Sequence, residues 1–76
     1  MTLNEILERE KSHRTENGMF GIKACKESIL NFKKFKNASL YQLLEVYVKR
    51  ANDDVFFNKA MVLACWELIN EPSTNS

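Results

Sequence analysis

This sequence has little of what catalysis and cofactor binding usually draw on: one histidine, two cysteines, two glycines and one proline in 76 residues. A metal centre needs clustered ligands, yet His13 stands alone and neither Cys25 nor Cys65 belongs to a C-x-x-C pair. Gly18 and Gly21 do not build a glycine-rich phosphate loop. A Cys–His nucleophile fares no better, because His13 lies in a charged stretch while both cysteines lie in apolar ones. The carboxylate pairs Glu8 with Glu10 and Asp53 with Asp54 sit close together on solvated or capping segments, not across a cleft. The expectation is a protein without catalytic residues, metal or cofactor.

An excess of charge of one sign is also missing. The formal charge is +1, which gives no general drive toward nucleic acid or a membrane surface. The longest apolar stretch, Val55 to Ile69, is too short to span a bilayer and contains Lys59. The start, MTLNEILEREK, lacks the basic-then-apolar order of a signal peptide. Cytoplasmic location and reduced, core-packed cysteines are the corresponding expectations. Sustained two-residue alternation is absent too, which removes a strand-based fold.

What is present is helical periodicity. Thr2-Leu3-Asn4-Glu5 has the form of a capping box, and Leu3, Ile6 and Leu7 follow on one face. Residues 8–18 hold no hydrophobe, so the first helix is expected to end near Lys11 before a loop closed by Asn17-Gly18. A second helix is expected from about Phe20 to Phe35, with Ile22, Cys25, Ile29 and Phe32 as its buried stripe. Ser39-Leu40-Tyr41-Gln42 is a second capping box, and Leu40, Leu43, Leu44, Tyr47, Val48 and Ala51 cover the face behind it. Asn52-Asp53-Asp54 then breaks this helix and caps a fourth, expected from Val55 to Asn70 and stopped by Pro72. The fold class is all-α: a small four-helix bundle with a short first helix and a central, strongly apolar fourth. It forms one domain over residues 1–71, followed by a disordered tail over 72–76.

Two surfaces are candidates for function. As a helix from Val55 onward, the fourth element is apolar on two sides. Phe56, Phe57, Ala60, Met61, Leu63, Ala64 and Leu68 span about 160°, and Val55, Val62, Cys65, Trp66 and Ile69 span about 100° opposite them. Three surrounding helices can cover both arcs; otherwise the second arc is a partner groove or a homodimer seam. In that case Tyr41, Val62, Trp66 and Ile69 are the apolar partner-binding residues, with Trp66 and Tyr41 as anchors. The second surface is basic. Lys23, Lys26, Lys33 and Lys34 share about a third of the circumference of helix 2, where Glu27 is the sole acidic residue. Such a face can be plain solvated surface, can steer toward an acidic protein, or can touch phosphates. Nucleic acid is the weaker reading, since arginine, which makes the commonest specific base contact, is absent from this helix.

These features converge on a small cytoplasmic adaptor or inhibitor that docks a helical face on a larger, acidic protein. A nucleic-acid-binding regulator using the lysine face and a homodimeric structural protein are the two alternatives.

Overall fold

The computed structural model describes residues 1–13, 15, 18 and 21–71 of the chain. Four helices follow one another: α1 (Leu3–His13), α2 (Ile22–Lys36), α3 (Leu40–Asp53) and α4 (Ala60–Asn70). Both capping boxes form. The Glu5 amide donates to Thr2 Oγ1 at 3.2 Å and the Thr2 amide to Glu5 Oε1 at 3.1 Å. At α3 the Gln42 amide donates to Ser39 Oγ at 3.1 Å and the Ser39 amide to Gln42 Oε1 at 2.9 Å. Each box satisfies two amides that a helix start leaves without partners.

α2 ends where Asn37 turns left-handed (φ 52°), and the Ala38 amide reaches back to the Lys33 carbonyl at 3.1 Å. That pattern occupies the orphan carbonyls of the last turn. α1 runs two residues past the expected Lys11. It also buries Glu10, only 4% exposed, in the stretch expected to be wholly solvated. Glu10 is not without a partner there. Gly18 has a φ of 105°, open to glycine at little cost, and fits the turn expected there. Asn17 and Phe20, the expected partners of that turn and helix start, lie outside the described residues, as do Pro72 and the expected tail.

α4 is the hub. It packs against α1, α2 and α3, which touch one another far less. Ile6 and Leu7 from α1, Cys25 and Ile29 from α2, and Leu43 and Tyr47 from α3 all belong to one core with α4. The radius of gyration, 11.9 Å, is close to the ~11.4 Å of a compact chain this long. Met1 ties the start of α1 to the end of α3, its amino group and carbonyl both bonded to the Asn52 side chain. Asn52 also donates to the Val48 carbonyl at 3.0 Å.

The expectation for the start of the fourth helix is corrected. Residues 55–59 form a turn, and α4 begins at Ala60. Asp54 Oδ1 accepts from the Phe56 amide at 2.9 Å, and the Asp54 carbonyl accepts from the Phe57 amide at 3.1 Å. Asn58 then precedes the N-cap residue Lys59, its Oδ1 accepting from the Ala60 amide at 3.1 Å. Short polar side chains that bond the nearby backbone favour turns and caps over a helix interior, and two of them in succession displace the start by five residues. Val55 and Phe56 therefore leave the helical arcs and stand exposed, Phe56 at 93%.

Candidate functional site

Because α2 and α3 both lean on α4 rather than on each other, a gap opens between them. It is a cleft of about 270 Å³. α2 lines it with Ser28 and Phe32, and α3 with Val46, Tyr47 and Arg50. Phe57, from the turn, and Met61, from the first turn of α4, complete the lining. The Tyr47 and Phe57 rings meet at 5.9 Å between centroids, tilted by 30°. Burial holds the Tyr47 hydroxyl above its ordinary pKa.

The cleft wall is apolar, and the cations around it rest on aromatic faces. The Arg50 guanidinium lies 5.2 Å from the Phe57 centroid. Lys36 Nζ lies 5.8 Å from the Phe32 centroid and 5.6 Å from that of Phe35. Stacked this way, each cation gains from the ring quadrupole while the ring stays partly open to solvent. Val46 is 50% exposed, Phe32 43% and Phe35 81%, so large apolar side chains continue from the cleft onto the surface. Phe32, expected as a buried member of the α2 stripe, instead turns into this gap, because α3 does not come close enough to cover it.

The four apolar residues expected to bind a partner do not form one surface. Val62 is 0% exposed, enclosed where α4 meets its neighbours. Trp66 and Ile69 are partly buried against the same core. Tyr41 stands exposed in the first turn of α3. The second arc of the fourth helix is thus largely packed inside the bundle. Val62 and Cys65 are enclosed there while Trp66 and Ile69 are half-buried, as follows from α1, α2 and α3 all packing on α4.

The basic residues divide as well. Lys23 and Lys34 are exposed, while Lys26 and Lys33 are partly buried. Lys26 Nζ bridges α2 to the end of α4, 3.0 Å from Glu67 Oε1 and 2.8 Å from Glu71 Oε1. The hydrogen bond to Glu71, with Glu67 adding to it, raises its pKa above the ordinary lysine value. One of the four lysines is therefore already neutralised by the protein's own carboxylates.

Neither cysteine is bridged, and both are buried. Cys65 Sγ lies 3.3 Å from the Leu40 carbonyl, and burial pushes its thiol pKa up to about 11. A thiol in that state is a core group, not a nucleophile at neutral pH. Among the described residues no group of three or more His, Cys, Asp or Glu side chains is placed to hold a metal ion. No described helix is long and apolar enough to cross a membrane.

Sequence reasoning passed over Arg50, Val46, Phe35 and Phe57 as a group. They come from a helix end, an exposed position, a lysine-rich run and a turn, and no single periodicity joins them. Comparison with protein-family models, with curated proteins and with solved structures finds no match for this chain.

Proposed function

We propose that this protein is a non-catalytic binding module, an adaptor or inhibitor that works by docking a helical face on a larger protein. The observation that carries this reading is the cleft between α2 and α3, with Phe32, Phe35 and Val46 leading out of it onto the surface. Exposed large side chains scattered singly are normal, but several around one concave apolar site mark an interaction surface. Burying a few hundred Å² there contributes several kcal/mol at roughly 25 cal/mol per Å², before the entropy of association is subtracted. Two unbridged cysteines fit a reducing compartment, and the cytoplasm is the location proposed.

A photo-crosslinking amino acid placed at Phe35, and separately at Lys23 and Lys34, tests this in the source cell. The expected result is a defined protein adduct from position 35 that survives nuclease treatment. Adducts that form only from positions 23 and 34 and vanish with nuclease would transfer the function to the lysine face. Adducts to a second copy of the chain alone would make it a self-associating structural protein.

A further inference from the structure

The docking reading leaves the chemistry of the partner open, and the walls of the cleft narrow it. We propose that the cleft accepts one amphipathic helix of another protein, its apolar side chains at i, i+4 and i+7 and its flanks carrying carboxylates. This rests on the docking reading and adds the nature of the occupant.

Size comes first. At about 270 Å³ the cleft exceeds the ~150 Å³ apolar cavity that holds a benzene ring, and it falls just below the ~300 Å³ at which pockets for whole small molecules begin. It therefore suits one or two large side chains projecting from something bigger. Length agrees. Ser28, Phe32 and Phe35 stand at i, i+4 and i+7 on α2, a stripe of about 10 Å at 1.5 Å per residue. An incoming helix with the same i, i+4, i+7 spacing matches that stripe, which is how helices are read in grooves.

Charge supplies the sign. No carboxylate lines the cleft, and its one charged lining residue is Arg50. Lys36 covers the rings of Phe32 and Phe35 on the other wall. Among the described residues neither cation is ion-paired, in contrast to Lys26, which meets both Glu67 and Glu71. An occupant with basic flanks would meet two uncompensated cations, one on each wall. One with acidic flanks gains two charge-assisted contacts while its apolar side chains fill the gap.

Three synthetic peptide probes of about four helical turns test this against the full-length, isotope-labelled protein. One has a leucine and phenylalanine stripe flanked by glutamates, one has the same stripe flanked by lysines, and one is a scrambled version of the first. The expected result is that the glutamate-flanked probe binds at least tenfold tighter than the other two. Its binding should weaken with salt and shift the amide signals of Phe32, Val46, Arg50 and Phe57. The double variant Lys36→Glu with Arg50→Glu should keep its helical circular dichroism and reverse the preference between the two charged probes. Equal binding of the two charged probes at this cleft would overturn the acidic occupant while keeping the docking face. Absence of binding by any probe, or shifts confined to the surface around Lys23 and Lys34, would remove both. Sedimentation of the protein alone also decides: a micromolar dimer dispersed by Val46→Glu would mean that a second copy fills the cleft, and the proposal would fall.

Discussion

Placing a carboxylate at Val62 separates a core helix from a docking helix more sharply than any other single change. Val62 is fully enclosed, so Val62→Asp loses about 1.5–3 kcal/mol of apolar burial. It also brings a charge into a fully enclosed site within the apolar core, and the effective desolvation cost of such an ion is several kcal/mol. At roughly 0.05–0.15 kcal/mol per residue, a chain of this size has about 4–11 kcal/mol of stability in total. The two losses together are comparable to all of it. Val62→Asp should therefore be largely unfolded at 25 °C, with its far-UV circular dichroism collapsed. Leu63→Ala, at an equally covered position, should lose about 2–5 kcal/mol and remain folded with a lowered urea midpoint. Val46→Asp, at a half-exposed position on the cleft rim, should stay within about 0.5–1 kcal/mol of the parent. A Val62→Asp protein that melts cooperatively near the parent temperature would refute the assignment of α4 as the hub.

Three further outcomes follow from particular contacts. Cys65, Tyr47 and Lys26 all hold their protons more tightly in the fold than in the unfolded chain. Their contribution is complete below the unfolded values and drains away as pH rises through the folded ones. For Cys65, moved from 9.0 to about 11, the loss between those values is about 2–3 kcal/mol. Thermal melts at stepped pH should show stability falling from about pH 9 upward, and Cys65→Ala should flatten the early part of that fall; an unchanged slope would contradict the burial argument. Asn58→Ala removes the side-chain bond to the first amide of α4 and should cost about 1 kcal/mol by urea titration, whereas the same change at exposed Asn31 should be nearly silent. Lys26→Met should cost about 1 kcal/mol or less in low salt, a difference that shrinks at 1 M salt, since partly exposed ion pairs are screened.

Much of the fold was legible because local signals and hydrophobic spacing agreed. Thr2 with Glu5 and Ser39 with Gln42 mark helix starts that the backbone adopts, and Ile6, Ile29 and Leu43 lie inside as their spacing requires. The start of α4 was less legible: apolar density runs on from Val55 and Asp54 has the form of a cap for it, whereas in the chain Asp54 and then Asn58 bond the backbone and hold a turn. The site was the least legible part. Whether Phe32 is core or surface depends on how far α3 stands from α2, and that separation is set by how each crosses α4. A helical wheel contains no such information. The burial of Val62 was equally illegible, because a wheel shows two apolar arcs on the fourth helix but not that three helices, even a short α1, pack on it.

The position of the hub in the chain has a consequence for how the molecule comes into being. α1, α2 and α3 make few contacts among themselves, and the element each needs is the last of the four to leave the ribosome. Until Asn70 has emerged, Ile6, Ile29 and Leu43 have no fourth helix to close upon, and the apolar faces of α1, α2 and α3 stay uncovered. Assembly should then be abrupt and late, with a single step in which three waiting helices close around the fourth. A chain stopped before Ala60 would have no core to retreat into, and quality-control proteases would meet it as an unfolded polypeptide rather than as a smaller version of the same bundle.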